Sequence, residues 1–298
     1  MPSTRDIRRR IKSVKGTAQI TKAMQMVASS KMQKAQQSAI NGRPFAKLGH
    51  TIMKHAAAGA GDFTHPLLEP REIRQRGVIL VSTDKGLCGP LNTNLFREAA
   101  KYDPATTTFV AVGKKAAQFL ARAKRKLVAE FTYHDTPTYG ECQAIAHAAR
   151  KMFEEAEVDE VQVLFTRFIN TISQKPEARV LLPMGSLHLT VQAMASAAAA
   201  PADKPAGEEH GGALEYIFEP SPAEVMEIML VYLLDFQVAQ VLLEAKASEH
   251  SARMVAMKNA TDNAKQLVKD LTLEYNKMRQ ASITKELLEI TSATAALG

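Results

Sequence analysis

The chain is patterned most clearly at its two ends. From Ala223 to Leu297 there is neither glycine nor proline, and helix formers dominate the stretch. One continuous helix of that length is about 110 Å long, wider than an ordinary globular core. Part of it must therefore project and needs a partner. The other end supplies one: Ser3 to Asn41 contains no proline and a single glycine, Gly16. There, apolar residues recur at Ile7, Ile11, Val14 and Ala18, a coiled-coil seam. In register it continues through Thr21, Gln25, Ala28, Met32, Ala35 and Ala39. Ile20, Ala23, Met24, Met26 and Val27 put further apolar groups off that seam, the mark of a helix that is surrounded.

The pattern predicts three parts: an N-terminal helix over 1–58, bent near Gly42-Arg43-Pro44, an α/β domain over 76–218, and a C-terminal helix over 221–298 that pairs with the first. Ser221 is the natural N-cap of the last helix and Pro222 its first residue. Its first third, Val225 to Leu243, is apolar on most faces, as in a helix packed on a core; Glu227, Asp235, Gln237 and Gln240 break it as a bilayer span. Further on, Met257, Ala260, Ala264, Leu267, Leu271, Met278, Ala281 and Leu288 form a heptad seam, interrupted at Glu274 and Lys285. In the middle part, strands are expected at Gly77–Ser82, Thr107–Val112, Lys126–Phe131, Glu160–Phe168 and Arg179–Leu182. The last two join through a turn around Gln174-Lys175-Pro176. Helices are expected at Pro90–Tyr102, Lys114–Ala123 and Tyr139–Ala156. Such alternation implies a largely parallel, Rossmann-like sheet covered by helices. Ala195–Gly212 reads as a low-complexity loop, and Leu214–Phe218 as one more strand.

Charge adds a question. The net charge is +7, but Met1–Ile40 alone carries nine basic side chains and one acid, Asp6. A basic helix suits nucleic acid, an anionic membrane face or an acidic protein surface. The segment lacks aromatic interleaving and any binding-fold signature, which weighs against a nucleic-acid-binding protein. The basic N-terminus has no apolar segment of the secretory kind. Two cysteines, Cys88 and Cys142, are too few for a disulfide framework and suit a reducing compartment.

Candidate chemistry is sparse. The turn Thr83–Pro90 has glycines after a first strand, but its spacing fits neither the dinucleotide fingerprint nor the P-loop. Pro90 also removes an amide that a phosphate site would use. Cys88 has no neighbouring histidine in sequence, the eight histidines are scattered, and no carboxylate pair stands out. A small α/β enzyme with a helical arm remains a second alternative, without a site to support it.

Four segments carry a resemblance: ITKAMQMVASSK (Ile20–Lys31), STDKGLCGPLN (Ser82–Asn92), SEHSARMVAMKNATDN (Ser248–Asn263) and YNKMRQASIT (Tyr275–Thr284). They resemble, in order and in all three parts, the gamma subunit family of F-type ATP synthases of the bacterial type. Pro90 stands where that family often has glycine, the Ala/Pro-rich loop near Pro201 is longer, and the cysteine-bearing redox insertion of plant-type members is absent. The resemblance implies a non-catalytic central-stalk rotor without cofactor or metal, present in single copy. Its terminal helices would form an antiparallel coiled coil inside three alpha and three beta subunits. Its Rossmann-like domain would contact epsilon and the membrane ring of c subunits. The complex would sit peripherally on the cytoplasmic side of the cell membrane and couple proton flow to ATP synthesis. By motif position, Lys22 and Met24 would face an acidic segment of beta, and Arg279, Gln280 and Thr284 a loop of beta.

Overall fold

The computed structural model of the chain describes residues 4–59, 63–184 and 217–297. They fall into two compact units: Met1–Ser30 with Arg253–Gly298, and Lys31–Ala252. Both long helices, α1 (Thr4–Asn41) and the C-terminal helix, belong to both units.

The first unit is a helix pair. On α1, Ile7, Thr21 and Ala28 are buried and Ile11, Val14, Ala18 and Gln25 half-buried, matching the expected seam as far as Ala28. The partner seam differs from the expected one. Met257, Thr261 and Ala264 are buried and Val268, Leu271, Tyr275 and Met278 half-buried, a strict alternation of four and three. Leu267 is 47% exposed and Leu288 64%. Glu274 interrupts nothing, because Tyr275 fills that turn.

Two hydroxyls sit inside the seam. Thr261 Oγ1 lies 2.8 Å from Met257 O, and the Oγ1 atoms of Thr21 and Thr261 lie 2.7 Å apart. Thr21 Oγ1 likewise lies 3.2 Å from Ala18 O on its own helix, so either hydroxyl can donate across the pair. A polar contact at a seam position costs some stability and fixes the register. That register explains where burial stops. Thr4 precedes Thr21 along α1 by as much as Met278 follows Thr261 along the C-terminal helix, so in an antiparallel pair the described part of α1 reaches level with Met278. Beyond it, residues 279–292 are exposed on every face.

The second unit is a three-layer α/β/α domain. A five-stranded sheet runs in the order β3-β2-β1-β4-β5. Its strands are β1 (Arg76–Val81), β2 (Thr107–Val112), β3 (Leu127–Phe131), β4 (Glu160–Phe168) and β5 (Gln174–Leu182). β1 pairs in parallel with β2 and β4, β2 with β3, and β5 closes the edge antiparallel to β4. Side chains of β1 alternate between the faces. Val78 and Leu80 meet α3 (Leu91–Ala99) and α4 (Lys114–Arg122) through Leu95, Ala99, Ala116 and Leu120. Ile79 and Val81 share the other core with α5 (Tyr139–Glu154) and with Leu230, Leu234, Val238 and Leu242 of the C-terminal helix.

That helix, α6 (Pro222–Leu297), is 76 residues long. Ser221 caps it, with the Glu224 amide donating to its hydroxyl at 3.3 Å. By length and composition α6 is apolar enough to cross a membrane, contrary to the sequence expectation; in the fold its apolar stretch packs onto the sheet. α1 ends at Asn41 and α2 (Arg43–Gly59) follows, so Gly42 is the break. A Cβ there would lie 2.8 Å from Gln240 Nε2, the tip of a flexible side chain on α6 that a larger residue would displace. Phe45 then stacks at a tilt on Phe236 with ring centroids 5.5 Å apart.

Two expectations need correction. The β4–β5 turn is 169–173, where Asn170 Oδ1 accepts from the Ile172 and Ser173 amides at 2.9 and 2.7 Å. Gln174 to Pro176 are already strand, and Pro176 is tolerated because β5 is an edge strand paired on one side. No strand forms at 217–218; residues 185–216, which include the low-complexity loop, lie outside the described residues.

Replacing Thr21 or Thr261 by valine removes the bond across the seam and should cost about 0.5–1.5 kcal/mol. The two valines together should cost less than the sum of the singles, because the second loses a bond already broken. Thermal melts of the full chain followed by helical circular dichroism measure the cycle; strict additivity would mean the hydroxyls act independently. Asp235 gives a second check. It is buried, its Oδ2 accepts from the Tyr139 hydroxyl at 3.0 Å, and burial pushes its carboxyl above the ordinary range. A raised carboxyl favours folding in its protonated form, an advantage lost as pH rises through the raised value. Asp235→Asn should therefore gain little over the natural chain at pH 3 and progressively more toward neutrality, in melting midpoints read across pH.

Candidate functional site

The carboxyl end of β1 lies where the strand order reverses, the usual place for a ligand in such sheets. Here the chain fills it with its own groups. Ser82 Oγ accepts from the Ala116 amide at 2.7 Å, Asp84 Oδ1 from the Lys114 amide at 3.0 Å, and Thr83 O from the Lys115 amide at 3.1 Å. The first turn of α4 is thereby occupied. Gly113, at φ +96°, has Ser82 O where a Cβ would stand 2.4 Å away, so only glycine allows this closure. Asn92 Nδ2 donates to Thr83 Oγ1 at 2.7 Å, tying α3 to the same turn. This is the tight turn into a helix that the sequence implied.

The cysteines offer no reactive thiolate. Both are buried, and burial with the charges of Glu141 and Asp235 pushes the Cys142 thiol up to about 11. A cavity of about 430 Å³ opens beside Arg76, Glu98, Tyr102 and Pro176, but its polar groups are partnered. Arg76 Nε lies 3.2 Å from Glu160, and the Tyr102 hydroxyl donates to Gln162 at 2.8 Å. Among the described residues no group of three or more His, Cys, Asp or Glu could hold a metal ion.

The residues singled out by motif are surface residues of the helix pair. Lys22, Met24, Arg279, Gln280 and Thr284 are all exposed. They form two stations, because Arg279 lies about five helical turns past Thr261, roughly 27 Å along α6. The Lys22 ammonium reaches Gln25, at 3.4 Å. Met24 is 39% exposed, beside Ile20, Met26 and Val27 at 55–62%. The Thr284 hydroxyl donates to Gln280 O at 2.9 Å, leaving its lone pairs outward. Around the second station Ile283, Leu287 and Leu288 are 50–64% exposed. What the two stations share is apolar surface with isolated polar heads, left uncovered by the described residues of this chain. That is the signature of a contact surface rather than a reaction centre.

Sequence reasoning missed a polar cluster in the second unit. Asp135, in the β3–α5 connection, places Oδ2 2.6 Å from Lys31 Nζ on α1. Its Oδ1 lies 3.2 Å from His250 Nε2 and 3.9 Å from Lys246 Nζ, both on α6. Lys246 also meets Glu249 at 3.1 Å and sits over the Tyr133 ring at 4.2 Å. Lys246, Glu249 and His250 are each 2–3% exposed. Burial by itself would raise the Asp135 carboxyl; the Lys31 bond and the charges of His250 and Lys246 outweigh it and hold the carboxyl below its usual range. The one sequence signal was an unusual density of polar residues, Lys246 to Ser251, on an otherwise apolar helix.

Comparison with known proteins covers the whole chain. The profile of the ATP synthase family matches residues 3–297. A protein of Methylacidiphilum infernorum named ATP synthase gamma chain is 45% identical over 303 residues, the full length of both chains. Another of that name from Opitutus terrae is 46% identical over 293 residues, 98% of each. Among solved structures, a chain of the Euglena gracilis mitochondrial ATP synthase (OSCP/F1/c-ring, rotational state 3) superposes with a TM-score of 0.66 at 20% identity, covering 99% of this chain and 94% of that one.

Neither thiol should react with a maleimide in the folded chain, and both should react once it is denatured. Mass-spectrometric counting of labels checks this; rapid native labelling of Cys88 would mean that the turn is open.

Proposed function

The chain belongs to the ATP synthase gamma family, and we infer from that membership and from its geometry that it is the turning shaft of a proton-translocating F-type ATP synthase. It is a non-catalytic subunit of a membrane-associated complex. The observation that carries the shaft reading is the stretch of α6 beyond Met278. A helix exposed on every side, with apolar residues spread around it, is stable in that form only inside a sleeve of other chains. Three alpha and three beta subunits supply that sleeve. Catalysis is theirs, at the beta subunits; this chain supplies asymmetry, presenting a different face to each like site.

A shaft biases a site only through contacts that differ between its angular positions. Lys22 and Met24 form one such contact, with an acidic segment of beta, and Arg279, Gln280 and Thr284 another, with a beta loop. Arginine's planar fork and glutamine's amide make several hydrogen bonds in one orientation and release them in the next. The α/β unit receives rotation from the membrane ring of c subunits, with epsilon beside it. The assembly sits on the cytoplasmic face of the cell membrane. The nucleic-acid reading of the basic helix finds no support among the relatives.

Replacing Arg279 and Gln280 together by alanine should lower ATP turnover of the assembled complex about two- to tenfold, the scale of a lost hydrogen bond or two at about 0.5–1.5 kcal/mol. Helix content of the chain should not change, since both residues are exposed. The control is alanine at Lys265 and Lys269, also exposed and without a proposed partner. An equal loss in the control would remove the specific role.

A further inference from the structure

The cluster at Asp135 joins parts that must turn together if the chain is a shaft. One carboxylate holds both long helices: Oδ2 takes Lys31 of α1, and Oδ1 takes His250 and Lys246 of α6. The loop that carries it is itself braced. Thr138 caps α5 in a capping box with Glu141, and Glu141 Oε1 also accepts from the His134 amide at 3.2 Å and meets its ring Nδ1 at 2.6 Å. Tyr133, beneath the Lys246 ammonium, donates its hydroxyl to Ser82 O at the end of β1, 3.3 Å away. Contacts thus run from the central strand through the braced loop, to α1 by a hydrogen bond and to α6 by charge contacts.

Apolar packing resists separation but allows sliding, because it is not directional. Ion pairs and hydrogen bonds resist sliding, and they resist it most where solvent is excluded. A merely stabilising core would be better served by apolar side chains, since burying charges is expensive. Here Asp135 and Lys31 are half-exposed, and the buried members of the cluster are Lys246, Glu249 and His250 on α6, of which Lys246 and His250 face the carboxylate. We propose that Asp135 is a torque pin: a positioning residue that locks α1 and α6 to the sheet against twisting. The assignment rests on the shaft reading above. Removing the pin leaves Lys246 paired with Glu249 but takes the Asp135 contact from buried His250, so Lys31→Ala, which spares that contact, stands beside it in the test.

The test uses the assembled complex in membrane vesicles carrying Asp135→Ala. With an uncoupler present, so that the shaft turns without load, ATP hydrolysis should equal that of the natural complex. Without it, the proton gradient built by ATP should fall about twofold or more, the load now twisting a softer joint. A bead on the α/β domain of the stalled complex should fluctuate over a wider angle. Asp135→Glu should restore both readouts. So should a short bismaleimide bridge between cysteines placed at 31 and 135, since Cys88 and Cys142 are buried. If the alanine variant fails to assemble, Lys31→Ala carries the same test through the half-exposed arm alone. Unchanged gradient and bead fluctuation overturn the pin and leave the shaft reading intact, as does a loss that the bridge does not repair. A natural complex that neither hydrolyses nor pumps overturns the shaft reading itself.

Discussion

A long helix has to be covered along its whole length or stay soluble by its own polarity. An isolated helix gains little from its backbone, and most of its stability in a protein comes from packing one face. α6 meets this constraint in three ways along its 76 residues. Its first third lies on the sheet, where Leu230, Leu234, Val238 and Leu242 are 4% exposed or less. Its middle lies on α1, and burial narrows to a single seam. Its last stretch outruns α1, and burial ends. The composition follows: apolar on most faces, then heptad, then apolar and polar heads mixed. The first two are explained by this chain alone, and the third only by others.

Within those limits the polar contacts decide which of many equivalent packings is used. A seam of small and apolar residues permits neighbouring registers at little cost. Thr21 and Thr261 single out one of them, because any slip of a turn parts their hydroxyls. Asp135 does it with charge. Each trades stability for a single geometry, a trade that suits a part whose job is to keep its angle.

How much of this was legible in the sequence varied with how local the signal was. The α1 seam could be read position by position, because Ile7, Ile11, Val14 and Ala18 set it before the off-seam apolar residues from Ile20 to Val27 begin. The α6 seam slipped after Met257, since Ala260 competes with Thr261 and Leu267 with Val268, and hydrophobicity favours the wrong member of each pair. Thr261 is buried for its hydroxyl bond, which no periodicity reports. The strands of the central sheet were clear from their apolar runs, while β5 was read short because its exposed, proline-bearing half looks like a turn. Lys22, Met24, Arg279, Gln280 and Thr284 came from motif resemblance alone; by physics they are ordinary exposed helix residues. The Asp135 cluster could not be read, because its partners lie 104 residues or more apart in the chain.

The spacing of the α6 seam has one more consequence. From Met257 to Met278 it advances by four and three without a slip, an average of about 3.5 residues per turn. A helix of about 3.6 residues per turn keeps such a seam facing its partner only by winding around it to the left. A left-handed two-strand rope is not symmetric under twist. Turned one way, its strands tighten and the seam is compressed; turned the other way, they unlay and the seam opens. The same pair of helices therefore has a stiff sense and a compliant sense, and handedness written into residue spacing becomes a difference between forward and backward drive.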